Sequence, residues 1–187
     1  MVVWACRSEF LMTISMWGPQ YTFNTIRYTL NLSCSARQVT WYGRGPHECY
    51  PDRKASAHVG VYKCEVDELH VPYIVPGDCG GRTEIRHVSF SDNTRKSLSF
   101  VPGGSTPYLH FSASRHGFAK IMQAKHDFEL WDNHSMGDGV SINIDAFHMG
   151  LGGYDSWTQS VDPLYLLDPT TERKFTIGIL SSTQSEL

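Results

Sequence analysis

An aromatic side chain and a carboxylate stand close together at the end of a glycine-rich turn, in the stretch FHMGLGGYDSW. Gly152 and Gly153 lower the steric cost of a positive φ, so the chain can reverse there and present Asp155 and Trp157 at a rim. A hexose has a face of C–H bonds and a ring of hydroxyls, so it binds a flat apolar platform beside hydrogen-bond acceptors. Asp155 and Trp157 are therefore candidate sugar-binding residues. The alternative is a structural Trp157 that closes one end of the core.

The segment before this turn alternates as a β-strand does: Val140, Ile142 and Ile144 fall on one face, and Asn143 and Phe147 fall on the other. Frequent Gly and Pro residues divide the chain into short runs rich in β-branched and aromatic residues. The predicted strands are 10–17, 26–33, 39–42, 58–65, 82–91, 97–101, 108–114, 140–149 and 174–180. Apolar residues near helical spacing predict one short helix at 117–125. The sequence thus predicts an all-β fold, an antiparallel β-sandwich with one short helix.

Length and charge narrow the class of protein. The 187 residues are enough for one domain with a sizeable core. The formal net charge is −3 and the 16 Lys and Arg residues are scattered, so no basic stripe is available for nucleic acid. No apolar run approaches the length of a membrane span, and the first residues lack the order of a secretory signal. We therefore expect no nucleic-acid or membrane partner and a cytoplasmic location.

The cysteines and histidines argue against a disulfide framework and a metal site. The five cysteines form no CxxC pair, and full pairing would leave one of them over. They are Cys6, Cys34, Cys49, Cys64 and Cys79. The nine histidines lack the spacing of metal ligands, since HxxxH is absent. Reduced thiols and no bound metal are the expectation.

Three loops concentrate the polar chemistry. The first loop (residues 41–54) alternates charged and aromatic residues, the second loop (70–86) joins prolines to a Gly-Gly turn, and the third loop (150–157) is the turn described above. Such loops suit a polyol. Arginines and carboxylates this close in sequence more often pair with each other and fix the shape of a loop, and the second loop is more simply a rigid connector.

In order and spacing the three loops resemble the C-terminal domain of the bacterial-type β-galactosidases of glycoside hydrolase family 2, also called the small chain or domain 5. Residues 39–53 read VTWYGRGPHECYPDR, where that family has W-x-G-x-G-P-x-E-N-Y-P-D-R. Residues 71–82 and 145–157 match its Y/V-P-Y-x-x-P-x-E-N-G-x-R and D-x-x-x-M-G-x-G-G-D-D-S-W segments. The resemblance covers residues 26 to about 179, which assigns 26–187 to this domain and leaves 1–25 as a divergent or truncated N-terminal segment.

The resemblance implies a galactose-mutarotase-like β-supersandwich that lies against the catalytic barrel of a lactose-hydrolysing enzyme. In that family the acid/base and the nucleophile are glutamates of the barrel, and magnesium and sodium are bound there or on neighbouring domains. None of those motifs is in this chain, so no catalytic residue, no cofactor of its own and no hydrolysis by the isolated chain are expected. The implied partners are a galactoside and the barrel, with Trp157 as one wall of the sugar site and Asp155 beside it.

Three residues depart from the family pattern: Cys49 and Cys79 stand where relatives have asparagine, and Tyr154 stands where they have aspartate. A thiol is a weak hydrogen-bond partner, so contacts made by those amides must be remade or lost. Because both cysteines fall in loops that could pack together, we expect Cys49 and Cys79 to lie near one another as reduced thiols.

Two other functions are alternatives. The chain could be a stand-alone, non-catalytic carbohydrate-binding module, which binding of galactose or lactose by the isolated chain would support. The implied fold alone also suggests an aldose-epimerase-like activity, which needs a histidine acid and a carboxylate base facing one pocket. His110, His148 and Glu84 are available for that chemistry, but nothing in their spacing selects them.

Overall fold

A computed structural model describes residues 9–16, 25–32, 36–94, 96–131, 139–155, 157–158, 160–168 and 170–183 of the chain. Its strands are β1 (Glu9–Met16), β2 (Thr25–Leu32), β3 (Gln38–Gly45), β4 (His58–Glu65), β5 (Arg82–Ile85), β6 (His87–Ser91), β7 (Lys96–Gly103), β8 (Leu109–Ser114), β9 (Val140–His148) and β10 (Arg173–Thr183). The described part has one α-helix, α1 (Phe118–Gln123), and short 3-10 helices at Val66–Leu69, Asp127–Leu130 and Pro163–Tyr165. Within these residues, no helix is long and apolar enough to cross a membrane.

Two antiparallel sheets make up the fold. The larger sheet has six strands in the order β1-β10-β7-β6-β3-β4, and the smaller has four in the order β2-β9-β8-β5. The pairing is antiparallel throughout both sheets. The predicted antiparallel sandwich is therefore confirmed, and so is the short helix predicted at 117–125.

The core lies between the two sheets. Trp41 of β3 and Phe90 of β6 come from the six-stranded sheet, and both rings contact Phe111 of β8, at centroid distances of 5.8 and 5.9 Å. Ile142 and Ile144 of β9 are fully buried in the same cluster, as the predicted alternation requires. Edge-to-face contacts of this kind add to the free energy gained by burying apolar area.

The alternation of β9 is interrupted near its end by a β-bulge. Arg27 of β2 pairs with Asp145, but the preceding Ile26 pairs with Phe147, so one residue of β9 is left over. An extra residue of this kind re-aims the side chains that follow it. The prediction that Phe147 lies on the face opposite Ile142 and Ile144 is therefore wrong: its ring packs against the same core and meets Phe175 edge to face at 6.4 Å.

The prediction of one strand over 82–91 is also wrong, because the chain changes sheets inside this segment. β5 pairs with β8 in the four-stranded sheet, whereas β6 pairs with β3 in the six-stranded sheet. At the crossing, Glu84 has a φ of 53°, which is uncommon outside glycine, and the N–H of Arg86 donates to the carbonyl of Tyr42 at 2.8 Å. No glycine or proline marks this crossing, so the residue pattern resembles that of a continuous strand.

Candidate functional site

The first and second loops are joined by the buried carboxylate of Glu48. Its oxygens accept hydrogen bonds from the N–H of Gly80 at 3.0 Å, from the hydroxyl of Tyr50 at 3.1 Å and from the hydroxyl of Tyr73. Glu48 is only 8 % exposed, so its carboxylate depends on these donors for its hydrogen bonds. Glu48 therefore fixes the two loops against each other.

The first loop is joined to the third by Asp52. One oxygen of Asp52 accepts the N–H of Gly152 at 2.8 Å, and the N–H of Gly150 donates to the carbonyl of Tyr165 at 3.0 Å. Gly152 has a φ of 76°, and a Cβ there would lie 2.2 Å from the carbonyl oxygen of Ser160. Glycine is therefore required at position 152 both for its conformation and for the close backbone contact. The first loop and the segment 160–165 thus both hold the start of the third loop.

The end of the third loop is organised by Asp155. Its carboxylate accepts the N–H of Trp157 at 2.7 Å, the N–H of Thr158 at 2.6 Å and the hydroxyl of Thr158 at 2.8 Å. These bonds favour the ionised form, so they lower the pKa of Asp155, with the bond from the Trp157 backbone as the largest cause. Trp157 is 91 % exposed, so the alternative in which it closes the core is wrong.

Further exposed apolar side chains belong to the third loop and to the segment 160–166. The segment 160–166 runs along the third loop, as the Gly150–Tyr165 bond and a 3.3 Å bond from the Tyr154 hydroxyl to Asp162 show. The exposed members of the two segments are Leu151, Tyr154, Trp157, Leu164 and Leu166, and we call this set the apolar rim. Contiguous exposed apolar residues mark surfaces that contact a ligand or another protein surface.

The charged residues of the first loop form ion pairs with the second loop. Glu84 accepts from Nε of Arg44 at 2.7 Å and from Nζ of Lys54, and Arg44 also donates to the carbonyl of Ala57 at 2.8 Å. Partial burial alone would raise the pKa of Glu84, but the bonds from Lys54 and Arg44 outweigh it and lower that pKa. The interpretation in which these charges fix the shape of the loops is therefore favoured over direct binding of a polyol.

The histidines considered for an epimerase-like reaction do lie near each other. The rings of His110 and His148 are 5.9 Å apart, and Nδ1 of His110 is 2.6 Å from the hydroxyl of Thr83. Burial, and then the proximity of His148, lowers the pKa of His110 to about 3. The pocket beside these rings admits groups of about the size of a water molecule, and Glu84 is held by Arg44 and Lys54. These residues therefore do not form a pocket that accepts a hexose.

Cys49 contacts the second loop, whereas Cys79 contacts residues of its own loop. The N–H of Cys49 donates to the carbonyl of Gly81 at 2.9 Å, and the sulfur of Cys49 lies 3.4 Å from the N–H of Thr83. The sulfur of Cys79 instead lies 3.5 Å from the carbonyl of Val71. The closeness of the two sulfur atoms to each other stays a prediction.

Cys49, Cys64 and Cys79 are free thiols, and Cys6 and Cys34 lie outside the described residues. In the part of the chain that the structure covers, no group of three or more His, Cys, Asp and Glu side chains is arranged to hold a metal ion.

The sequence predicted the exposed tryptophan but not the two carboxylates, Glu48 and Asp52, that join the three loops. Glu48 bonds to an N–H 32 residues away, and Asp52 bonds to one 100 residues away. No spacing rule connects partners at such separations, and backbone N–H groups carry no residue-type signal. The only sequence signal for the contact between Asp52 and Gly152 was that one chain carries both the Y-P-D-R and the G-G-x-D-S-W segments of the family pattern.

Known proteins similar to this chain share one name. The family model described as beta galactosidase small chain matches residues 2–179. A β-galactosidase of Vibrio cholerae is 43 % identical over 156 residues, which is 83 % of this chain and 14 % of the relative. A β-galactosidase of Psychromonas ingrahamii is 40 % identical over 139 residues, which is 74 % of this chain and 12 % of the relative. The chain thus spans only 12–14 % of the length of these relatives.

Proposed function

Because this chain belongs to the β-galactosidase small-chain family, we propose that it acts as a non-catalytic domain of a lactose-hydrolysing β-galactosidase, with Trp157 as one wall of the galactoside site. The acid/base and nucleophilic glutamates would lie on a barrel domain or chain, and magnesium and sodium would be bound there or on neighbouring domains. In this arrangement the present chain contacts the sugar and supplies no acid, base or nucleophile.

The observation that most supports this proposal is the exposed indole of Trp157. The loop that bears it is fixed before any sugar arrives, by the bond from Asp52 to Gly152 and by the bonds that Asp155 accepts. A preorganised platform spares the ligand the free-energy cost of ordering a loop. An indole that is 91 % exposed also has most of its area available for the C–H face of a galactoside.

Asp155 has two roles in this proposal. It positions Trp157 through the bonds of the turn, which occupy three acceptor positions of its carboxylate. An ionised carboxylate offers about four such positions, so one remains for a sugar hydroxyl. The same side chain therefore orients the platform and can accept a bond from the galactoside beside it.

The apolar rim supports the presence of a catalytic domain next to the third loop. Leu164 and Leu166 are exposed, as are Leu151, Tyr154 and Trp157 of the third loop. Because this chain spans only 12–14 % of its β-galactosidase relatives, the rest of such an enzyme is the natural occupant of that surface. Residues of the barrel would then complete the sugar site where the barrel contacts the apolar rim.

The test uses a chimera in which this chain replaces the matching segment of the Vibrio cholerae β-galactosidase. Trp157→Ala and Trp157→Phe would be compared with the parent in melting temperature and in affinity for a non-hydrolysable thiogalactoside. Loss of the stacked indole is worth roughly 2–3 kcal/mol, so Trp157→Ala should weaken binding about ten- to hundredfold, and Trp157→Phe should weaken it less. The melting temperature should stay within about 1 °C of the parent, because a side chain this exposed buries little area on folding.

Phe128→Ala is the matched control, because Phe128 is an exposed aromatic residue outside the three loops and should leave the affinity unchanged. A fall in melting temperature without a separate loss of affinity in Trp157→Ala would refute the sugar-wall role. Calorimetry of the isolated chain with lactose distinguishes the alternative of a stand-alone binding module. Tight binding there, lost in Trp157→Ala, would favour the module over the enzyme domain.

A further inference from the structure

A cysteine, a histidine and an aspartate form a chain of contacts away from the third loop. The sulfur of Cys79 lies 3.8 Å from Nδ1 of His70, and Nε2 of His70 lies 2.6 Å from a carboxylate oxygen of Asp127. The other oxygen of Asp127 accepts the indole N–H of Trp131 at 3.2 Å. The Trp131 ring also packs edge to face on His70, with centroids 4.8 Å apart. The imidazole is therefore held in place from two directions.

The bond to Asp127 decides which nitrogen of His70 can accept a proton. A carboxylate accepts, so the proton of neutral His70 resides on Nε2, and Nδ1 presents its lone pair toward Cys79. A nucleophile beside a base that a third group orients is the arrangement that activates thiols and hydroxyls. Cys79 is itself one of the departures from the family pattern, since asparagine stands there in relatives.

A second observation points to a small ligand at this place. Cys79 and His70 line a small pocket together with His116 and Ser112, under the start of α1, and it has room for a group of about the size of a water molecule. His116 is 3 % exposed, its other ring nitrogen bonds to the backbone of Leu130, and its Nε2 has no partner. A buried acceptor without a partner favours a ligand that brings an N–H or O–H group into the pocket.

The resting state of the thiol explains why a base is needed. Burial raises the pKa of Cys79, and the carboxylates of Glu48, Asp78 and Asp127 raise it further, while the bond to the Val71 carbonyl lowers it. Cys79 is therefore a thiol, and not a thiolate, near neutral pH. Its reaction with an electrophile requires that the proton leave as the new bond forms.

We propose that Cys79 is a site of covalent modification at which His70, oriented by Asp127, takes the thiol proton while the sulfur attacks a small electrophile such as a low-molecular-weight disulfide. The Cys79 sulfur forms a bond to one sulfur of the disulfide, the disulfide bond breaks, and the released thiolate takes the proton from Nδ1 of His70. With iodoacetamide the same attack forms a carbon–sulfur bond and releases iodide, and the proton passes from His70 to the buffer.

The test measures the rate of alkylation at each cysteine of the full chain by peptide mass spectrometry, with iodoacetamide in excess. Cys64 is an internal reference, because it is half-buried like Cys79 and, among the described residues, makes no hydrogen bond to a histidine. Burial raises the pKa of Cys64 to about 11. We expect Cys79 to react faster than Cys64, and His70→Gln to lower the ratio of the two rates by about tenfold or more. Treatment with 2-hydroxyethyl disulfide should give a mixed disulfide at Cys79.

His70→Gln keeps a donor for Asp127 but has no basic nitrogen facing the sulfur. Asp127→Asn is a second variant that disturbs the orientation of His70, and it should lower the same ratio to a smaller extent. Arg115→Gln is the matched control, because it removes the nearby bond from Arg115 to Asp67 without contacting the cluster, and it should leave the ratio unchanged. Equal rates at Cys79 and Cys64 in the parent, or a ratio that neither cluster variant changes, would overturn the proposal.

Discussion

Replacing Asp52 with alanine should release the third loop while leaving the sandwich folded. The lost interaction is the 2.8 Å bond from the N–H of Gly152 to the Asp52 carboxylate. A hydrogen bond to a charged group is worth about 1.5–3 kcal/mol, so the open population of the loop should rise roughly 10- to 150-fold. The core residues Trp41 and Phe111 make no contact with this bond, so the free energy of global unfolding should change much less.

Amide hydrogen exchange tests this prediction, because it reports the opening of individual backbone groups. Exchange at Gly152 should accelerate in Asp52→Ala, while exchange at Ile142 in the centre of β9 should keep its parent rate. Asp168→Ala is the matched control, since the bonds that Asp168 accepts among the described residues come from Thr170 and Thr171 of its own exposed turn. Unchanged protection at Gly152 in Asp52→Ala, or an equal effect of Asp168→Ala, would show that the carboxylate does not hold the loop.

Three further outcomes are expected. Because the folded state lowers the pKa of Glu84 below its ordinary value of 4.5, the stabilising effect of this carboxylate is present above that pH and is lost as the pH falls. The difference in unfolding free energy between the parent and Glu84→Gln should therefore shrink below about pH 4.5 in urea titrations. Gly43→Ala should destabilise the fold by about 1–3 kcal/mol, since its Cβ would lie 2.9 Å from the Cα of Ile85, and an unchanged urea midpoint would contradict this. The isolated chain should not hydrolyse a nitrophenyl galactoside, and activity that survives removal of host galactosidase would show otherwise.

The sheets were predictable from sequence where alternation and burial coincide. Ile142 and Ile144 fall on the buried face that the period of two assigns to them. Phe147 does not follow the period of two, because a β-bulge precedes it in β9. The bulge arises where β9 pairs with β2, which is far away in sequence, so the local residue pattern does not show it. The crossing at Glu84 was unpredictable for a related reason. Glu84 has a positive φ, and its side-chain partners Arg44 and Lys54 are 40 and 30 residues away in sequence, so no local pattern indicates the crossing.

The two candidate sugar-binding residues were more predictable than the residues that support their loop. Trp157 and Asp155 follow a run of glycines that the turn requires, so residue type alone identified them as a candidate pair. Asp155 was predicted as a sugar acceptor, and the structure adds that it organises the turn. Glu48 and Asp52 could not be identified, because each acts through backbone N–H groups of a distant loop.

The two cysteines that replace asparagine differ in what they change. At position 49 the loops are joined by a bond that the backbone N–H donates to the carbonyl of Gly81, which any residue except proline can make. The sulfur accepts a weak bond from the N–H of Thr83. At position 79 the side chain lies next to Nδ1 of His70, so the residue type at this position decides which chemical group contacts that nitrogen. An asparagine there could donate an amide N–H to Nδ1, whereas a thiol can also lose a proton to it. The first departure therefore leaves the chemistry of the loop unchanged, and the second gives the domain a nucleophile.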